Sequence, residues 1–567
     1  MSIYKQISRL GFTSCHSQEK WLDLLSWLVV FSLVISLGLG LFVPLYTDEV
    51  ATKFVQARFF AEEGKMLSLF PQCASGFILD TPISWYPAAL IYSFLYSNLG
   101  PLGIRIVGVT TAYIWLGLLS YWAVMTIPVR QDRIRLLAAI AAVLGLGVLP
   151  FTLVLARAEQ WLVLLLTIYC VFPALAERAF RFQTRWMASV WLVVFCIVTS
   201  LFYYTHAKAV FLLPVVIVSA GYFFGRRHKL LLGLAVIFAI LCAYQSVQVA
   251  KAVIRCEDAP ILSGILASQT ANLSMLRESP KTVLFDGVES LVSAPEKIIA
   301  HVIFQKDYQS GWLPPGGGGE LSSLTKLVNL GIKVVLQVIF WLAVMIPPIG
   351  IFFATKRKTR RYGKYLIASL WLAFVGHLTI YRVWNFYGGA LAITLMVMLL
   401  ALCAALIFEF KGKSQVGKWS LTTVLTFSLL SFSVLIFQVS PKLIVLATSI
   451  SDVLPGQPLS VKTLNFDSRR EHLRLLAKTC DIQGDGAKRL VVDDLTYFAF
   501  ENLRQPLHLI YLYDGGFGAD IGGEKIRSFL SGMESAGIIA QCTYISPAFN
   551  KVVVRDGDFC CVNLKKN

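Results

Sequence analysis

An all-helical, polytopic membrane fold followed by a small C-terminal α/β domain is the class this sequence predicts, on three observations. The 567 residues are 56% hydrophobic and only 15% charged, with a mean hydropathy of +0.67, whereas soluble domains carry about a quarter charged residues. Apolar segments approaching or reaching the roughly 20 residues of a membrane helix recur along most of the chain. Charge is segregated: alternate connections are strongly basic and the others are near neutral.

About 11 transmembrane helices are expected, near 21–45, 104–128, 136–155, 160–176, 186–204, 209–224, 230–250, 327–354, 363–381, 388–408 and 419–437. The first is too long for a signal-peptide core and lacks an obvious small-x-small cleavage site, so it reads as a retained anchor. The first external loop, 46–102, opens with "DEVATKFVQARFFAEEGKMLSLF", whose apolar residues recur at helical spacing and suit a helix along the membrane surface. It continues into "SWYPAALIYSFLYSN", short for a span and flanked by proline and glycine, which reads as interfacial or re-entrant. The second external loop, 251–326, is polar. Its "GWLPPGGGGELSS" lacks the strand and helix that a phosphate-cradling loop needs, and reads as a flexible hinge or mobile lid.

Residues 1–437 thus form the membrane domain, and 438–567 an external soluble domain. In the latter "RREHLRLLAKTC" and "GEKIRSFLSGMESAG" read as helices and "KRLVVDDL" and "NKVVVRDGDF" as strands. Its four cysteines, Cys480, Cys542, Cys560 and Cys561, suit one or two disulfides in an oxidising compartment, Cys480 pairing with one of the others. The acidic pair Asp493-Asp494 at a strand end reads as a turn, so the domain is accessory to a catalytic centre elsewhere.

The net charge of +18 raises nucleic acid as a partner, and its placement excludes it. With the N-terminus cytoplasmic, segments 1–20, 129–135, 177–185, 225–229, 355–364 and 409–418 hold 21 Lys/Arg and 4 Asp/Glu, while 46–102, 251–326 and 438–567 hold 25 and 27. That asymmetry is a topology signal. It predicts an integral inner or plasma membrane protein, multi-pass, with a periplasmic or extracellular C-terminal domain.

Ionisable residues at membrane depth mark functional sites. Asp23 and Lys333 lie near helix ends where they snorkel, and Arg105 at the outer end of the second span is open to the same account. The others gather at one face. "LARAEQWL" brings Arg157 and Glu159 into a turn, "YYTHAKAV" brings His206 and Lys208, and "TIYRVWNFYGG" brings Arg382 with Tyr381 and Tyr387. Asp48 and Glu49 leave the first span on the same side, with Arg58 beyond them. Interfacial anchoring accounts for any one of these; the coincidence of three cationic turns facing two carboxylates points to chemistry. Carboxylates supply a general base and cations bind phosphate, both more strongly where water is scarce.

These residues resemble the GT-C superfamily of integral-membrane glycosyltransferases, which includes protein O-mannosyltransferases and the aminoarabinose transferase of lipid A. The resemblance spans most of residues 20–437. "TDE" at 47–49 resembles the first-loop acidic motif, "LPFTLVLARAEQWL" the later acidic turn, and "THAKAVFLLPVVI" the segment carrying a phosphate-contacting lysine. "SWYPAAL", with Trp85, resembles a His-Pro-Pro-Leu segment but lacks its His and second Pro, and no acceptor motif of the oligosaccharyltransferase kind occurs. The resemblance implies a polyprenyl-phosphate-linked sugar donor, a glycan, lipid or protein acceptor, and inverting single displacement on the non-cytoplasmic face. It implies Asp48 as base, Glu49 and Glu159 as supporting carboxylates, and Lys208 and Arg382, with Arg58 or Arg157, as phosphate ligands. His206, Tyr381, Tyr387 and Trp85 complete the expected lining on the acceptor side. In some members the supporting carboxylates hold a divalent metal; one carboxylate per lobe is a thin cage for it, so a metal is not the favoured reading here. A transporter or flippase would instead favour charges near the midplane and internal repeats, and an O-antigen polymerase or ligase would place its key cations in large later loops.

Overall fold

The computed structural model describes residues 3–43, 49, 92–96, 101–178, 184–225, 228–254, 278–305, 321–354, 361–406, 415–448, 466–482, 489–493, 496–500, 507–508, 530–531, 535–542, 545, 549 and 553–564, with side chains from residue 19 onward except at some segment ends. In chain order the membrane part comprises α1 (Ile3–Leu39), α2 (Pro101–Thr126), α3 (Arg130–Leu144), α4 (Leu149–Leu153), α5 (Ala158–Arg178), α6 (Arg185–Thr205), α7 (Leu213–Phe224), α8 (Lys229–Ile254), α9 (Pro280–Ala300), α10 (Ser323–Ala354), α11 (Arg361–Ile380), α12 (Phe386–Leu406) and α13 (Gln415–Thr448). Among the described residues ten helices are long and apolar enough to cross a membrane: α1, α2, α5, α6, α7 with the short 3₁₀ turn before it, α8, and α10 to α13.

Position in the bundle follows composition. The span in α12 is apolar on every side and 89% buried, as expected of a helix surrounded by protein. The spans in α6, α8, α10 and α13 are 28% buried and turn most of their apolar surface outward, where lipid replaces protein.

The expected span at 136–155 is corrected. In the structure this stretch is two helices, α3 and α4, separated by Gly145–Val148, and neither is among the helices long and apolar enough to cross a membrane. Gly147 has φ +55°, and a Cβ there would meet Val302 O at 2.0 Å. The break is tolerated because its freed groups are satisfied inside the protein: Gly147 N donates to Ser431 Oγ at 2.8 Å and Val148 N to Val302 O at 2.9 Å. Asp23 does not simply snorkel either. It accepts from Gln131 Nε2 at 2.8 Å and pairs with Arg135 at 3.3 Å, tying α1 to the start of α3.

The second external loop holds a helix the polar reading passed over. One face of α9 buries Gly287, Ala294, Pro295, Ile298 and Ile299 against the bundle, and Ser290 Oγ donates to Leu378 O and Tyr381 O at the end of α11. The glycine-rich stretch 311–320 and nearly all of the first loop, including its expected surface helix, lie outside the described residues. Tyr92–Tyr96 there forms one helical turn.

α13 continues past residue 437 to Thr448 before the tail begins. The tail contains α14 (Phe466–Thr479) and five strands, β1 (Arg489–Val492), β2 (Leu507–His508), β3 (Ser535–Gln541), β4 (Val554–Asp556) and β5 (Phe559–Asn563), in the order β2-β1-β3-β5-β4. β1 lies parallel to β2 and β3, and β5 antiparallel to β3 and β4. Of the single strand expected at 550–559, the described residues turn at Gly557, whose φ is +59°, between β4 and β5. Disulfides link Cys480 to Cys561 and Cys542 to Cys560. Asp493 is a turn residue, as expected: Oδ1 accepts from Thr496 N at 2.8 Å and Oδ2 from Gln541 N at 2.8 Å. The tail's apolar core is continuous with Ile104 and Ala156, so the tail is seated on the end of the bundle where α2 and α5 begin.

Candidate functional site

Three short connections meet at that same end. Turn Val154–Arg157 leads into α5, whose first turn carries Glu159, a favourable place for an acid because helix N-termini are electropositive. Between α6 and α7, His206 caps the 3₁₀ turn Ala207–Leu212: its Nδ1 accepts from Lys208 N at 3.0 Å, and the Lys208 side chain is buried. The connection from α11 to α12 supplies Tyr381 and Trp384, the first turn of α12 supplies Tyr387, and Asn385 Oδ1 caps α12 by accepting from Gly388 N at 2.9 Å.

Glu159 is the centre of the cluster. Lys208 Nζ donates to its Oε1 at 2.9 Å, His206 Nε2 lies 3.6 Å from the same oxygen, and Arg157 Nε lies 3.6 Å from Oε2. Glu159 and Lys208 are both buried. Aromatic faces complete the surroundings of the cations. Arg157 stacks 4.0 Å from the Tyr387 ring centroid, and Lys208 Nζ lies 4.7 Å from that of Tyr381 and 5.5 Å from that of Tyr387. Among the described residues, two cations and a histidine thus gather around the Glu159 carboxylate. Beside Arg157 and Glu159 lies a cavity of about 30 Å³, bordered by Trp115, Thr152, Gln160, Tyr387 and Thr394, with room for about two waters.

The expected residues divide into three sets. Arg157, Glu159, His206, Lys208, Tyr381 and Tyr387 are brought together. Arg382 takes a different place, half-exposed and paired at 2.9 Å with Asp286 of α9. Glu49 is fully buried in an ion pair with Arg105, Nη1 donating to Oε1 at 2.9 Å and Nη2 to Oε2 at 2.5 Å. Arg105 therefore does not snorkel. Asp48, Arg58 and Trp85 lie outside the described residues.

The sequence reading noted Trp384 beside Arg382 and passed over His377 and Asp286. His377 of α11 is buried and stacks on Tyr381 at 5.1 Å, with Trp384 edge-on to both rings. A histidine inside a membrane helix is itself a signal. Asp286 had none, because a single acid in a polar loop gives no hint of its partner. No group of three or more His, Cys, Asp or Glu gathers as a metal-ligand set among the described residues.

No protein-family model and no curated protein matches this sequence. Among solved structures the chain is similar to the crystal structure of ArnT from Cupriavidus metallidurans bound to undecaprenyl phosphate, at 12% identity and a TM-score of 0.44, over 96% of this chain and 98% of that one.

Proposed function

We propose that this chain is a membrane glycosyltransferase of GT-C type, moving a sugar from a polyprenyl-phosphate donor to a glycan, lipid or protein acceptor on the non-cytoplasmic face. The observation that carries the reading is the cluster of Lys208, Arg157 and His206 around Glu159 at the end of the helix bundle. In the absence of donor, Glu159 keeps the cations oriented. A lipid-borne phosphate reaching them finds charge-assisted donors already in place and little water to compete.

The proposed reaction is a single displacement. Asp48 accepts the proton of the acceptor hydroxyl as its oxygen bonds to the anomeric carbon. The bond from that carbon to phosphate oxygen breaks, and its electron pair leaves with the polyprenyl phosphate. The phosphate gains negative charge in this step, and Lys208 and Arg157 stabilise it more strongly in the transition state than in the ground state. Tyr381 and Tyr387 offer ring faces to the cations and to a sugar. Glu49 supports the site from beneath, and Arg382 and Arg58 serve its rim. No metal is assigned a role.

The test is transfer from labelled polyprenyl-phosphate sugars by the purified protein in nanodiscs supplied with an envelope extract as acceptor. Label transfer with release of polyprenyl phosphate is expected, and a protein that consumes no such donor refutes the reading.

A further inference from the structure

Arg105 stands near the start of α2, with no exposed surface. Besides its two bonds to Glu49, its Nε donates to Val43 O at 2.9 Å and its Nη1 lies 3.4 Å from Val154 O. Val43 follows the last helical turn after α1, and Val154 ends α4. Helix C-termini leave carbonyls without intrahelical donors, so one guanidinium serves two of them. Glu49 works at the opposite kind of terminus: its Oε1 accepts from Ala156 N at 2.6 Å, just before α5.

Burying such a pair costs several kcal/mol per ion in desolvation, and apolar residues of similar volume are often as stable. Stability alone therefore does not account for it, and geometry is the better reason. The segment it grips is the Val154–Ala156 turn. A Cβ at Gly108 would meet Val154 O at 2.0 Å, and one at Gly40 would meet Val154 Cγ2 at 2.5 Å, so helix backbone closes on the turn from two sides. Gln160 Nε2 bridges Leu153 O and Gly108 O at 2.9 and 2.6 Å. The tail's apolar core, reaching Ile104 and Ala156, covers the turn from outside. The next residue is Arg157.

We propose that Arg105 is a positioning residue which, through Glu49 and Val154, fixes this turn so that the Arg157 guanidinium is held over Tyr387 beside Glu159, ready for a phosphate oxygen. The proposal rests on the donor reading above for its ligand and on the geometry alone for its mechanics. Arg105→Lys keeps the charge but loses the planar fork that reaches Glu49 and both carbonyls at once. Glu49→Gln keeps one oxygen for Ala156 N and loses the bidentate pair.

The experiment measures binding of undecaprenyl phosphate to the full chain in nanodiscs, and the Arg157–Tyr387 separation by cryo-electron microscopy. Both variants are expected to bind the lipid at least tenfold more weakly, with Arg157 displaced from the 4.0 Å stack. Should they fail to fold, the apolar double variant Glu49→Met/Arg105→Leu replaces the pair at similar volume; it is expected to unfold at the wild-type temperature yet bind as weakly. Folded variants that bind within twofold of wild type, or that keep Arg157 on Tyr387, overturn the proposal. Wild-type protein that does not bind the lipid refutes the donor reading instead, and the Arg157–Tyr387 separation in the variants still decides the positioning.

Discussion

Lys208 and Glu159 form a buried ion pair across two separate connections, Nζ to Oε1 at 2.9 Å, at the end of the helix bundle where the tail is seated. Removing Lys208 takes from buried Glu159 its shortest counter-charge contact but leaves Arg157 and His206 at 3.6 Å. The loss falls below the ~3–5 kcal/mol of a fully broken buried pair. Lys208→Ala is therefore expected to lower stability as well as to raise the donor KM or abolish turnover, with Lys208→Arg partly active. A double change of Lys208 to Met and Glu159 to Gln separates the effects, because it removes both charges. Recovered stability without recovered donor affinity supports phosphate binding. Full recovery of both returns Lys208 to a scaffold role.

Asp48 carries the proposed base. Asn caps a helix about as well as Asp but is no base at neutral pH. Asp48→Asn should fold and bind donor normally while turnover falls about 100-fold or more, the usual order for a lost general base. A fully active Asp48→Asn enzyme would assign this residue to capping.

Sidedness rests on the distribution of Lys and Arg. A cysteine placed in 451–460 should react with an impermeant thiol reagent from outside, and one in 411–418 should not. The reverse pattern would put the cation cluster on the cytoplasmic face and end the mechanism.

The tail should be oxidised in native membranes. Mass mapping is expected to return the pairs Cys480–Cys561 and Cys542–Cys560. The first closes a long loop, with a sequence separation of 81, so reduction should lower the tail's stability by about 3–5 kcal/mol. Four free thiols would contradict the pairing.

His301, beyond α9 and outside the spans, donates one hydrogen bond from Nε2 to Trp384 O at 2.9 Å. Burial lowers its pKa, partly offset by that carbonyl. The unfolded chain then takes up the proton first, so this group's contribution to stability is complete above about pH 6.5 and declines as pH falls below it. Acid denaturation of His301→Phe should show a shallower slope across that window. An unchanged slope would remove His301 as its source.

The sequence by itself determined what depends on local composition. Apolar runs of membrane length, the one-sided Lys/Arg distribution and the alternation of connections follow from solvation of single segments, and they placed nearly all of the helices. The same rule of parity put Arg157, Glu159, His206, Lys208 and Tyr387 on one face, because each sits in a connection whose side is set by counting spans. Composition was blind where a segment's partner is distant in the chain. The 136–155 run is apolar throughout, yet it breaks at Gly147 because Val302 and Ser431 supply hydrogen bonds that lipid does not.

Only the tertiary structure decided which charges meet. From sequence, Arg105 reads as a snorkelling residue, Glu49 as a neighbour of the base, and Arg382 as a phosphate ligand. In the fold Arg105 and Glu49 neutralise each other across 56 positions, and Arg382 turns to Asp286 across 96. The physical reason is the same in each case. A charge at a membrane surface takes whichever counter-charge lies within a few ångströms, and that distance is fixed by helix packing, on which spacing along the chain is silent.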